Sequence, residues 1–189
     1  MGSSAWLDAA RADIAMGTRI GPWQGLVWRC HARHYAADSA EGSRRASGRY
    51  HRATDRFPAG TTWLALYTGC TEAIAPAEVI RNAGAGILAK LPILSVSCLE
   101  VQLSAVYRIY DPAVDAGDSL LGLDFAAECE GTDYTHTHAL ARMAREAVEA
   151  IQVPSCTGLH EGNLIIFPDR LHPSSRITVV STTELRLTK

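Results

Sequence analysis

The chain lacks an excess of positive charge, a paired set of cysteines and any long apolar run. Its 18 Lys and Arg stand against 20 Asp and Glu, a formal net charge of -2. No long-range positive field is present to gather bulk nucleic acid, although a local arginine cluster can still hold a small phosphate ligand. The five cysteines (Cys30, Cys70, Cys98, Cys129 and Cys156) include no C-x-x-C pair. An odd, dispersed set suits small buried thiols in a reducing compartment better than a disulfide framework, and leaves a catalytic thiol open. No segment approaches the length of a membrane span. Asp8, Arg11 and Asp13 interrupt the first apolar stretch, so a secretory leader is not expected and a cytoplasmic protein is.

Familiar site motifs are missing as well. Gly84-Ala-Gly86 lacks the rest of a dinucleotide fingerprint, and there is no Walker loop. No G-x-S-x-G surrounds Ser155, so a hydrolase elbow is unsupported. His136-Thr-His138 has no third ligand at metal spacing, which leaves helix capping or surface polarity as its expected use.

What is present fits one domain. The chain has 189 residues, 47% hydrophobic and 20% charged, with no internal repeat or linker. Residues 5–16 predict an amphipathic helix ended by Gly-Pro-Trp, making residues 1–20 an N-terminal helical extension to a domain over 21–189. Leu26–Cys30 and Trp63–Tyr67 read as strands, with a Gly, Ser, Arg and Asp-rich loop from Ala36 to Gly60 between them. Thr71 is the expected N-cap of a helix in which Pro76 should delete one backbone bond, so that the helix begins late or bends. One or two strands are expected over Ile93–Val106. A helix is expected over Thr135–Ala150, with Val148 and Ile151 on its apolar stripe and Glu149 outside. Strands follow at Asn163–Phe167 and Ile177–Leu187. Helices and strands do not alternate regularly, so an α+β domain is expected over a doubly wound sheet.

The candidate site begins with Glu78, eleven positions after Tyr67. A strand end, a turn and a helix would carry the carboxylate back toward the ring. Glu78 could equally be a solvated helix residue, and Tyr67 a core aromatic. Arg29 sits inside an apolar strand and must be paired, either to a buried acid or to a ligand phosphate. Arg49 belongs to a group of five arginines from Arg44 to Arg56, which reads as a solvated loop or as a pyrophosphate clamp. Ser155 follows Pro154 at the end of an apolar run. A ring, a carboxylate, guanidiniums and a hydroxyl suit a partly flat, partly phosphate substrate, that is, a nucleotide.

The order of Val-Trp-Arg29, Ser-Gly-Arg49-Tyr, Ala-Leu-Tyr67, Ala-Glu78-Val, Asp133-Tyr-Thr-His-Thr-His-Ala-Leu-Ala141 and Val-Pro-Ser155 before Asn163-Leu-Ile-Ile-Phe-Pro168 resembles the RES domain family. The resemblance runs from about Leu26 to Phe167. It implies a single-domain α+β fold like the ADP-ribosyltransferases of diphtheria-toxin type, and a toxin neutralised by an Xre-type helix-turn-helix antitoxin. It also implies cleavage of the nicotinamide–ribose bond of NAD⁺, which is the substrate rather than a cofactor, with phosphate or water as acceptor. Carried over, Arg29 and Arg49 would bind phosphates and Tyr67 would pack at the nicotinamide end. Glu78 would bind the ribose and stabilise its cation, and Ser155 would hydrogen-bond nearby. Arg29, Tyr67 and Glu78 would be catalytic. No metal, direct nucleic-acid contact or membrane is implied, and a homodimer and a toxin–antitoxin hetero-oligomer both stay open. A mono-ADP-ribosyltransferase and a catalytically silent partner-binding module are the alternatives. The chain departs from the family's usual Gly-Gly-Arg-Trp followed by Asn, carrying Ser-Gly-Arg-Tyr-His at 47–51 instead.

Overall fold

A computed structural model describes residues 5–83, 93–110, 131, 133–157, 159 and 161–185, the side chains of 82 and 83 excepted. Gly84-Ala-Gly86 and Cys129 lie outside them. The described elements are α1 (Ala5–Met16), β1 (Ile20–Ala32), β2 (Leu66–Gly69), α2 (Ile74–Ala83), β3 (Leu94–Arg108), α3 (Thr135–Ala144), β4 (Ala150–Val153), β5 (Asn163–Ile166) and β6 (Arg176–Leu185). Short 3₁₀ turns punctuate the loops at Glu41–Arg44, Ala59–Thr61 and Pro168–Arg170. The expected α+β domain is the one observed. No described helix is long and apolar enough to cross a membrane.

The long strand β3 organises the sheet. One edge pairs antiparallel with β1 along nearly its whole length, from Ile20↔Tyr107 to Ala32↔Leu94. The other edge is shared: β6 takes Leu94–Gln102, and β4 runs parallel to Val106–Arg108. Since β1 also meets β2, β2 meets β5 and β5 meets β4, the pairings close on themselves. The Gly-Pro-Trp expected to end the first helix lies instead within β1, where the register shifts between Gly21 and Trp23 on either side of Pro22. A residue without an N–H is tolerated at such an irregularity because it owes the ladder nothing there.

Short central strands are buried on both faces, which is why their sequences are unbroken apolar runs. In β5, Leu164 and Ile166 join one core cluster with Val27, Leu66, Leu99 and Val101. Ile165 and Phe167 join the other, with Trp6, Leu7 and Ala10 of α1 and Leu140, Ala141 and Ala144 of α3. The N-terminal helix therefore packs into the same core cluster as α3 and one face of β5. By contrast β6 is exposed along most of its length.

The helix expected to reach Ala150 stops at Ala144, and Ala150–Val153 is instead a strand. Val148 and Ile151 are buried by the sheet, and Glu149, expected in solvent, is 3% exposed. Its carboxylate accepts the N–H groups of Ser104 (2.6 Å), Ala105 (2.8 Å) and His172 (2.6 Å). Those β3 residues fall between the end of the β6 ladder and the start of the β4 ladder, where backbone donors would otherwise go unpaired. Burial pushes the Glu149 acid up, but the hydrogen bonds from Ser175, His172, Ala105 and Ser104 outweigh it and hold it below the ordinary glutamate range. Periodicity could not show this, because a residue bonded to distant backbone is chosen by tertiary contacts rather than by helical spacing.

Glu149→Ala removes the acceptor for three backbone donors and should lower unfolding stability by about 3 kcal/mol, read as a lower urea midpoint. Glu149→Gln should recover only part of it, because its amide NH₂ would oppose one donor. An unchanged midpoint in the alanine variant would show that the clasp carries no weight.

Candidate active site

The cavity forms where β2, β5 and α2 meet. The register sets Tyr67 opposite Ile165 and Gly69 opposite Asn163, and period-two alternation turns all four toward one face. Gly69 allows α2 to start directly over the strand. A Cβ there would lie 2.8 Å from Ile74 Cβ and 3.0 Å from the Ala75 nitrogen. Helix α2 begins late, at Ile74, so Pro76 falls in its first turn, where N–H groups have no helical partner and none is lost. Glu78 follows Ile74 by four residues and Ala75 by three, so it shares their buried face rather than the solvent face.

The Glu78 carboxylate is held through one oxygen. Oε1 accepts the Ser155 hydroxyl at 2.8 Å, the Cys156 N–H at 3.1 Å and the Asn163 amide at 2.8 Å. The Ser155 proton is committed to Glu78, so Thr157 donates to Ser155 Oγ through both its hydroxyl (2.7 Å) and its N–H (3.1 Å). No hydrogen bond from a described residue reaches Oε2. The cavity beside it encloses about 350 Å³, a volume suited to a small-molecule site. Its walls include Arg49, Tyr67, Glu78, Tyr134 and Asn163.

Tyr67 accepts the Tyr50 N–H at 2.8 Å and meets His51 Nδ1 at 3.0 Å. Burial pushes its phenol well above the ordinary tyrosine range, so it stays neutral. Arg49 lays its guanidinium over the Tyr134 ring, 5.0 Å from the centroid. The loop carrying Arg49 is anchored by two buried histidines. His51 Nε2 lies 2.7 Å from the Ala46 carbonyl, and His138 Nε2 lies 2.8 Å from that of Gly48. His138 is 4% exposed and so neither caps the helix at the surface nor faces solvent, contrary to expectation.

Of the expected residues, Arg49, Tyr67 and Glu78 come together on the cavity wall. Ser155 stands behind the carboxylate, outside the lining. The structure does not bring Arg29 to the cavity: its neighbour Cys30 lines the wall, and side chains alternate along a strand. Among the described residues no acid pairs directly with the Arg29 guanidinium. It donates to the carbonyls of Ala36 (3.2 Å) and Ala37 (2.6 Å), and burial draws its pKa down to about 10 against the pull of Asp38.

Burial pushes the Cys30 thiol up to about 11, so it presents no thiolate at neutral pH. Cys156 is disulfide-bonded. Sequence spacing missed that pairing because a disulfide depends on distance in space. Sequence reasoning also did not give Asn163 or Tyr134 a site role. An amide heading a strand as apolar as Leu-Ile-Ile-Phe was the signal for the first.

The family model for the RES domain matches residues 26–188. The chain belongs to the RES domain family. A chain from the crystal structure of the M. tuberculosis MbcT-MbcA toxin-antitoxin complex is similar to this RES domain at a TM-score of 0.69 and 19% identity. The match covers 95% of this chain and 93% of that one. The α+β fold is thereby shared across almost the full length. No curated protein sequence matches the RES chain at a significant level.

His31, His51 and His138 all have pKa values lowered from about 6.5, chiefly by burial. The unfolded chain therefore binds these protons more readily than the folded one. The stability that neutral histidines contribute is complete above about pH 6.5 and lost as pH falls through the lower folded values. The thermal midpoint should hold steady above pH 7 and decline between pH 6.5 and 5. A flat profile across that window would contradict the burial of neutral rings.

Proposed function

We propose that the cavity binds NAD⁺ and that the protein cleaves its nicotinamide–ribose bond. The observation that carries this reading is Glu78, a residue of the cavity wall fixed through Oε1 by three donors, with no hydrogen bond from a described residue to Oε2. A carboxylate so held suits a reaction in which positive charge grows on the ribose. The C1′–N bond breaks with its electron pair leaving on nicotinamide, which departs as a neutral ring. No strong acid has to protonate it, in accord with one site carboxylate where ordinary glycosidases use two. The oxocarbenium-like transition state gains more from the fixed charge than the ground state does.

Supporting roles follow from position. Glu78 binds the ribose hydroxyls and stabilises the cation, while Ser155 and Asn163 orient the carboxylate, Asn163 from the cavity wall and Ser155 from outside the lining. Tyr67 packs beside the nicotinamide end as a neutral phenol, and Arg49 meets a phosphate oxygen at the cavity mouth. Arg29 acts through the Ala36–Ala37 turn that it ties down, rather than on phosphate. The acceptor is water or inorganic phosphate, whose oxygen bonds to C1′ and whose proton passes to solvent. The likeness to a chain of a toxin–antitoxin complex supports a toxin held in check by a partner, and the family resemblance points to an antitoxin of Xre type.

Purified protein should consume NAD⁺ and release nicotinamide, with phosphate changing the ribosyl product if it is the acceptor. Glu78→Ala should lose roughly a hundredfold or more of turnover. NAD⁺ labelled on its adenine side should deliver label to small products; label in a protein band would favour a mono-ADP-ribosyltransferase. Equal turnover in wild type and the alanine variant would remove Glu78 from the mechanism, and absence of both binding and turnover would favour a silent binding module.

A further inference from the structure

His51 occupies the position where the arginine loop departs from the family's usual sequence, and both of its ring nitrogens are engaged. The ring is 4% exposed. The Ala46 carbonyl, 2.7 Å from Nε2, can only accept, so Nε2 carries the proton. In the neutral ring Nδ1 is then an acceptor, and the group 3.0 Å away is the Tyr67 hydroxyl. Having given its proton to His51, that hydroxyl is free to accept the Tyr50 N–H at 2.8 Å. The result is a directed chain: Tyr50 N–H to Tyr67 oxygen, Tyr67 O–H to His51 Nδ1, His51 Nε2–H to Ala46 oxygen.

This chain brackets Arg49, since Ala46 and Tyr50 lie on either side of it in sequence and Tyr67 lines the same cavity. Packing leaves it little play. A Cβ on Gly48 would come within 2.7 Å of His51 Cε1, 2.8 Å of the Tyr67 hydroxyl and 2.9 Å of His51 Nδ1. The Gly48 carbonyl is meanwhile taken by His138. Neither ring nitrogen is spare, so a second proton has nowhere neutral to go. A proton on Nδ1 would point at a hydroxyl that already receives the Tyr50 N–H, and the Tyr67 proton would have to find another acceptor.

We propose that His51, as the neutral Nε2–H tautomer, is a positioning residue that sets Tyr67 and Arg49 for the substrate, and that its protonation switches the site off in acid. The substrate's identity rests on the NAD⁺ reading; the positioning does not. The groups facing His51 are Tyr67 from β2, His138 from α3, the Ser43 and Ala46 carbonyls, and Asp55. Asp55 favours the charged ring, while His138 and burial disfavour it, burial most strongly. Asp55 is itself exposed and held by Ser47. The protonation that matters therefore lies below the ordinary histidine value.

Two measurements on the full chain decide this. In imidazole ¹⁵N spectra, His51 should show a protonated Nε2 and a bare Nδ1 at pH 7.5. Exchange protection of the Tyr50 amide should fall with the same midpoint as the His51 titration. In NAD⁺ turnover, kcat/KM of the wild type should fall at that midpoint. His51→Asn can accept the Tyr67 proton through its amide oxygen but cannot gain a proton, so it should keep neutral activity within about threefold and lose the acid limb. His51→Ala should lose Tyr50 protection and about tenfold in kcat/KM. A protonated Nδ1 at pH 7.5, a Tyr50 amide indifferent to His51→Ala, or an unchanged acid limb in His51→Asn would each overturn the proposal, the last pointing to His138. If no form turns over NAD⁺, the substrate reading falls, while the tautomer and the Tyr50 amide still decide the positioning.

Discussion

The pairing register between β2 and β5 is the constraint on which the site depends. It sets Gly69 against Asn163 and Tyr67 against Ile165, and so turns a phenol, a clear space and an amide to one face. A slip of one residue would send all of them to the opposite face, where Leu66, Leu164 and Ile166 belong. The register is strongly specified because both faces are buried, and the misplaced side chains would exchange polar groups for apolar ones in each core. The clear space at Gly69 lets α2 begin close above the sheet, and the amide at Asn163 meets the carboxylate that α2 brings down.

Around this frame, polar groups act by fixing one another rather than by mutual Coulomb attraction. Glu78 is held by a hydroxyl, a backbone N–H and an amide, with no cation directly bonded to it among the described residues. Neutral donors orient a carboxylate without cancelling its charge, which leaves that charge available to a developing cation. The arginine loop follows the same logic. It is long and polar, and it has no regular strand of its own beyond an isolated Gly48↔His51 bridge. Two buried histidines and a tyrosine stand in for backbone partners that a ladder would have supplied.

Much of the fold was legible from residue order alone. Helix α1, strand β5, the long β3 and the late start of α2 followed from periodicity and from Pro76, which are local properties. Three side chains found partners other than the expected ones, for a shared reason. The helix expected to reach Ala150 ends at Ala144 because β3 and His172 claim Glu149 for their unpaired donors. Arg29 satisfies its guanidinium on the Ala36–Ala37 carbonyls, and His138 caps the Gly48 carbonyl rather than facing water. In each case the decisive partner is a backbone group, and a backbone group has no signature in the amino-acid sequence.

The sequence by itself determined which chemistry was available: one carboxylate eleven residues beyond a tyrosine, arginines in a polar loop, and the succession of motifs that places the chain in the RES family. It did so because strand and helix periods, turns and capping are written in neighbouring residues. Only the tertiary structure decided which of these groups share a cavity. It put Glu78 on the buried face of its helix, moved Arg29 to the far side of its strand, set Ser155 behind the carboxylate and enlisted Asn163 and His51. Those outcomes turn on strand register and on the pairing of buried donors with distant acceptors, which are settled when the whole chain closes around its core.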